Sequence, residues 1–223
     1  MKAPLTLALD ASTYVGTAAL LRGSTVLAAT AVPMRTPDRE TLLPAIAALL
    51  SDAGIAARDL ERVVCGDGPG SFTSLRIAAA TAKGIALGAG ASLYSMSSLM
   101  LIVAGNDIVD QPGRYVAVLD ALRGDVYAGA YEVTPDHAPT ELASPTVMPR
   151  DEALERAHRL AARVVGPQES PPLAPHARGV ARLIAQLDAA PPRDLASWEP
   201  CYGRPAEAQA RWEREHGRPL ASA

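Results

Sequence analysis

Apolar and polar positions alternate between two periods along the chain, and the switches between them outline its elements. Leu5–Leu9 is a short apolar run that predicts a buried strand. A turn through Asp10–Val15 leads to a second strand, Gly16–Leu21, and Gly23 turns the chain into a third, Thr25–Val32. Pro37 and Asp38 are helix-start residues, and from Glu40 the apolar positions Leu42, Leu43, Ile46, Leu49, Leu50 and Ala53 recur at helical spacing until Gly54. Arg62–Gly66 predicts a strand, Thr73 to about Leu87 an Ala-rich helix, Ser92–Ser95 a strand, and Ser97 the cap of a helix running to Ala104.

The composition turns polar over Asn106–Gly113, and then a similar order begins again. Arg114–Leu119, Asp125–Glu132 and Ser144–Met148 predict strands, Arg150–His158 a helix, Ala162–Val165 a strand and Pro175–Leu187 a helix. Two copies of a strand-rich α/β unit predict a duplicated, actin-like arrangement. Residues 1–107 form the expected first subdomain, 114–190 a smaller second one, and 191–223 a Pro-, Arg- and Glu-rich tail laid on a surface, with a short helix over Glu207–Glu215.

Composition narrows the chemistry. Aromatic residues make up 4% of the 223 positions, so the core must be built from Ala, Leu, Val and Ile. The net charge is −3 with no basic stripe, which argues against independent nucleic-acid binding, because phosphate neutralisation supplies most of that affinity. Cys65 and Cys201 match no metal spacing, and the four histidines, all at His137 or later, include no i, i+4 pair. No metal site and no cofactor is expected. No apolar run approaches the roughly 18 residues of a membrane span, and no leader pattern is visible; the expectation is a soluble, cytoplasmic protein.

Two loops carry candidate chemistry. Asp10-Ala11-Ser12-Thr13 follows the first strand, where a carboxylate and hydroxyls hold metal and phosphate in actin-like ATPases; the same residues are ordinary in turns and caps. Gly66-Asp67-Gly68-Pro69-Gly70-Ser71-Phe72-Thr73 joins a strand to a helix, with amides of Ser71–Leu75 at a helix N-terminus suited to anions. It lacks the Lys of a Walker loop, and a purely structural turn explains its glycines equally well. The following helix is small and apolar nearly all round, through Ala78, Ala79, Ala80, Ala82 and Ala86. Its second face either meets another protein or lies beneath the neighbouring helix.

These segments resemble the TsaB family. Leu7-Ala8-Leu9-Asp10-Ala11-Ser12-Thr13 is similar to its opening LaLDTST, Glu40-Thr41-Leu42-Leu43-Pro44 to its HSE.LLP, and Gly68–Ala78 to its hallmark GPGSFTGLRIG. Ala82-Lys83-Gly84 and Ser97-Ser98-Leu99 continue the likeness; Asp120–Tyr127 resembles DARRGEVY, and Pro200–Pro205 the closing P.Y.RP. Ala11, Ser74 and Ala78 depart from the pattern, standing where the family has Thr, Gly and Gly.

The resemblance implies a two-subdomain actin-like (ASKHA, ribonuclease H-like) fold with a degenerate nucleotide site. It further implies a non-catalytic partner of TsaD, the subunit that transfers a threonylcarbamoyl group to tRNA adenosine, with the ATPase TsaE joining the pair. The expected docking surface is the helix pair Glu40–Ala53 and Thr73–Leu87, with Leu42, Leu43, Ile46, Leu75, Arg76, Ala79 and Lys83 as interface residues. A homodimer through the same faces is a further expectation when the chain is alone. The rival reading is an enzyme, either an actin-like ATPase or an M22-type metallopeptidase.

Overall fold

The computed structural model describes residues 3–36, 39–106, 111–135, 137–203 and 215–217. The first half runs β1 (Leu5–Asp10), β2 (Val15–Arg22), β3 (Thr25–Pro33), α1 (Leu42–Asp52), β4 (Arg62–Gly66), α2 (Phe72–Ala89), β5 (Ser92–Met96) and α3 (Ser98–Ala104). The second runs β6 (Gly113–Asp120), β7 (Asp125–Thr134), β8 (His137–Pro149), α4 (Arg150–Arg159), β9 (Arg163–Val165), a 3₁₀ segment Ala177–Leu183 and α5 (Ile184–Ala189).

The two sheets have the orders β3-β2-β1-β4-β5 and β8-β7-β6-β9. In each, an antiparallel three-stranded meander is followed by a crossover helix and a strand parallel to the first. The second sheet therefore repeats the first with one strand fewer. This topology is the duplicated α/β arrangement expected from the sequence.

Local chemistry sets the helix ends. The Glu40 carboxylate accepts from the amides of Leu42 (2.7 Å) and Leu43 (3.1 Å), which caps α1. Gly90, at φ +67°, closes α2 with its amide on the carbonyls of Ala86 and Leu87. Ser97 Oγ accepts from Met100 N at the start of α3. The run expected as one helix over Pro175–Leu187 is instead a 3₁₀ segment followed by α5; Gly179 inside it lowers α-helical propensity.

Three packed layers result. Leu5, Leu7, Leu9, Leu20 and Val63 meet Leu42, Ile46, Ala78 and Ala82 where α1 and α2 cover one face of the first sheet. Val116, Val118 and Ala128 meet Ala153 and Ala157 of α4 on the second sheet. Between the sheets, every residue of α3 is buried, against Ala8 and Val64 on one side and Tyr115, Ala117 and Tyr131 on the other. A helix buried all round has no polar face, which is why Ser98-Leu-Met-Leu-Ile-Val-Ala104 carries no charge.

The expected division near residue 107 falls between α3 and β6, and the middle layer draws on both sides of it. The expected surface tail also reaches inward, with Leu195 and Trp198 packing on the α1–α2 layer. The helix expected over Glu207–Glu215 lies mostly outside the described residues.

A shared middle layer predicts cooperative unfolding. Leu101→Ala should destabilise the protein by about 2–5 kcal/mol, the usual cost of emptying a fully buried leucine site. Far-UV circular dichroism and Trp fluorescence should report one coincident denaturant transition. Two separated transitions would contradict the shared core.

Candidate functional site

Asp10–Thr13, Gly68–Thr73, Ser98, Asp120–Tyr127 and Cys201–Tyr202, far apart in sequence, meet where the two halves face each other. Asp10 ends β1 and is fully buried. Its Oδ1 accepts from Ser12 N (2.9 Å) and Ser12 Oγ (2.8 Å), and its Oδ2 from Ser98 Oγ (2.5 Å). Ser98 Oγ in turn accepts from Gly68 N (3.1 Å), and Ser98 N donates to Gly68 O (2.9 Å). The strand-end carboxylate thus tethers its own turn, the start of α3 and the glycine-rich loop.

That loop is glycine-rich because backbones crowd there. A Cβ on Gly66 would stand 1.9 Å from Asp10 Oδ2, and one on Gly70 would stand 2.2 Å from Ser12 O. Ser71 N donates to the same Ser12 carbonyl at 2.7 Å, so it is not available to an anion as the sequence reading had it. α2 begins one residue later, at Phe72.

Burial pushes the Asp10 carboxyl above its usual range, against the opposing pull of the Ser98 and Ser12 hydrogen bonds. Asp67 is pushed up the same way, with Ser95 Oγ (2.9 Å) and nearby Arg193 pulling it back. The Cys65 thiol, buried beside both carboxylates, is pushed well up.

A cavity of about 660 Å³ opens between the halves. Ser12, Thr13, Ser71 and Thr73 line it from the first half, and Asp120, Arg123 and Arg150 from the second. Asp10 is not among the lining residues, because its oxygens face Ser12, Ser98 and the Gly66 backbone. Arg150 pairs with Glu169 at 2.6 Å, and Arg35 stacks on the Tyr14 ring at 3.6 Å. The β6–β7 turn places Leu122 and Arg123 at positive φ (66° and 61°) on the cavity rim. No group of three or more potential metal ligands occurs among the described residues.

The C-terminal segment straps this region. Arg193 N bonds Leu93 O (2.7 Å) at the free side of β5, and Cys201 N bonds Asp67 O (2.7 Å). The Tyr202 ring packs on Phe72 at a 44° tilt with ring centroids 4.6 Å apart, while its carbonyl accepts from Tyr127 Oη (3.2 Å). The strap therefore touches both halves and runs along one flank of α2.

The residues expected at a partner surface divide sharply. Leu42, Ile46 and Leu75 are 0–1% exposed and belong to the interior; Ala79, at 6%, is buried too. These four are corrected from surface to interior. Leu43 is 50% exposed and Arg76 is exposed, its guanidinium 4.9 Å from the Phe72 ring. Lys83 is half-buried, 3.5 Å from Glu199 of the strap. The outward stripe of α2 is Arg76, Ala80, Gly84 and Leu87, the last 75% exposed. Ala80, Gly84 and Leu87 were missed because Ala and Gly give a helix little hydrophobic contrast from which to read its phase.

Two topologically equivalent sheets around a cleft, the first ending in a strand-end aspartate, define an actin-like α/β protein. Comparison with known proteins narrows this. The family model "TsaD: tRNA N6-adenosine threonylcarbamoyltransferase" matches residues 36–174. The Bacillus subtilis protein called tRNA threonylcarbamoyladenosine biosynthesis protein TsaB is 36% identical over 126 residues, covering 56% of this chain and 54% of that one. Its Escherichia coli namesake is 33% identical over 126 residues, with the same coverage. The chain spans about half the length of the curated relatives it matches. A Pseudomonas aeruginosa crystal structure, described as similar to peptidase YeaZ, superposes with TM-score 0.75 at 23% identity, over 90% of this chain and 100% of that one. The chain belongs to the TsaB/YeaZ family within this TsaD-like group.

Two outcomes follow from the site. Because Asp10 has a higher pKa folded than the roughly 3.9 of an unfolded Asp, the native state holds its proton more firmly. Its contribution is therefore best below pH 4 and declines as pH rises through the folded pKa. Asp10→Asn should lack this decline, so its urea midpoint should gain on the wild type across that window. Parallel curves would refute the assignment. Ala79→Glu should destabilise the isolated chain by roughly 3–5 kcal/mol, since it puts an unpaired charge into a buried site. An unchanged melting temperature would return Ala79 to the surface.

Proposed function

We propose that the chain is a non-catalytic scaffold and activator that pairs with TsaD in making threonylcarbamoyladenosine on tRNA. The observation that carries this reading is the largely apolar outer surface of two neighbouring helices, on which Arg76 and the end residue Asp52 are the exposed charges. α1 turns Leu43, Ala47 and Ala48 outward, and α2 turns Ala80, Gly84 and Leu87 outward. Small residues permit close backbone approach, and the two exposed leucines supply apolar area for a partner's helices. Family membership and the names carried by the relatives support the choice of partner. TsaE would join the pair from outside this surface, and tRNA would be held by the complex, since this chain has a net charge of −3.

The rival reading, an actin-like ATPase, draws on the cavity between the halves. The network around Asp10 favours the scaffold. Both carboxylate oxygens accept from Ser12 and Ser98, so the aspartate serves the fold rather than a bound metal or phosphate.

Ala80→Glu tests the proposal. Ala80 is exposed, so the variant should fold with an unchanged melting temperature. Its carboxylate, even paired with Arg76 one turn away, would add bulk where backbones approach closely and lose its hydration in a dry contact, so affinity for TsaD from the same organism should fall about a hundredfold or more. Modification of tRNA by the reconstituted complex should fall with it. Normal pairing by a folded Ala80→Glu variant would place docking elsewhere, and ATP turnover by the isolated chain that Asp10→Ala abolishes would favour the enzyme.

A further inference from the structure

The cavity between the halves differs in composition from the chain that encloses it. Acids outnumber bases over the whole sequence, for a net charge of −3. The ionisable side chains lining the cavity, tyrosines aside, are Arg35, Arg123, Arg150 and Asp120, three cations and one anion. The anion is engaged by its own turn, since Asp120 Oδ1 accepts from Leu122 N at 2.7 Å. Aromatic residues are placed just as unevenly. The chain has one Phe, six Tyr and two Trp, and the Phe and three of the tyrosines line this one space as Phe72, Tyr14, Tyr127 and Tyr202. Buried Val118, Leu119 and Val126 line it too, so its walls are largely apolar.

Arg35 is the cation best prepared to receive an anion. Its guanidinium lies over the Tyr14 ring at 3.6 Å, and it takes part in none of the ion pairs among the described residues. A guanidinium stacked by its face keeps its N–H donors in the plane, where they can form the two-pronged contact that a planar carboxylate accepts. Arg150, by contrast, is already paired with Glu169. From the second half, the turn before β7 brings Leu122 and Arg123 to the rim in successive left-handed conformations. Side chains adopt that conformation at a cost, and such strain collects at ligand sites. Leu122 is 58% exposed there, so the strained turn does not serve to bury it.

We propose that the cavity binds a small aromatic carboxylate, its planar ring among Tyr14, Phe72 and Tyr202 and its carboxylate on Arg35. The rings supply flat apolar contact, and the excess of arginine favours entry of an anion. The volume, about 660 Å³, is within the usual range of small-molecule sites. A nucleoside triphosphate suits the lining poorly. Both oxygens of Asp10 are taken by Ser12 and Ser98, Ser71 N is taken by Ser12 O, and no group of three metal ligands occurs among the described residues. The site is separate from the outer face of α1 and α2, so it stands whether or not that face meets TsaD.

Calorimetric titration of the purified full chain with cinnamate tests it. Saturable binding of one cinnamate per chain is expected. Uncharged cinnamamide and non-aromatic cyclohexanecarboxylate should each bind about tenfold more weakly or worse. Arg35→Gln and Tyr14→Leu, both at exposed positions, should keep the wild-type melting temperature and weaken cinnamate binding by about tenfold or more. Ala80→Glu, on the outer face of α2, should bind cinnamate as the wild type does. Absence of saturable binding, equal affinity for cinnamamide or cyclohexanecarboxylate, tighter binding of ATP than of cinnamate, full affinity in either cavity variant, or loss of affinity in Ala80→Glu would each overturn the proposal.

Discussion

A carboxylate without access to water holds the architecture together at its centre. Asp10 needs donors for both oxygens, because burial penalises its charge and no solvent is present to offset that penalty. Ser12 and Ser98 supply them, and so bring together the β1 turn and the first residue of α3. Ser98 also exchanges bonds with Gly68 in both directions, which sets the path of the loop into α2. With α3 held there, its apolar body lies between the sheets and becomes the layer that both halves share.

The strap depends on the same arrangement. Cys201 reaches the carbonyl of Asp67, next to the loop that Ser98 holds, and Tyr202 then meets Phe72 at the start of α2. The closing segment of the chain is therefore a third party to the contact between halves. It also shields one flank of α2, where Lys83 meets Glu199, and leaves the face from Thr73 through Arg76, Ala80 and Gly84 to Leu87 and Gly88 turned outward.

Much of this was legible in the sequence, because strand alternation, turn residues and caps are local signals. The succession of strands and helices along both halves, the Ser97 cap and the glycine-rich loop were all readable. What escaped depends on contacts between distant segments. The inward phase of α2 is set by which of its alanines meet β1 and β4, and one alanine looks like another. The roles of Asp10 and Trp198 likewise rest on Ser98 and on the α1–α2 layer, 88 residues away in the first case. A turn aspartate that binds a phosphate and one that binds a serine hydroxyl have the same neighbours in sequence.

The duplication supplies an internal control for reading the outer surface. α1 and α4 occupy equivalent places, each following a three-stranded meander and preceding the strand parallel to the first. Both bury one stripe on their own sheet, so the folding requirement on each is similar. On the opposite face, α4 presents Asp151, Glu152, Glu155, His158 and Arg159 to solvent, as an amphipathic surface helix does. α1 presents Leu43, Pro44, Ala47 and Ala48 in the corresponding positions and carries no charge before Asp52. Folding alone does not call for that difference, since α4 shows that a charged outer face is compatible with the same place in the fold. An apolar outer face on the first half alone is what a docking surface confined to that half requires.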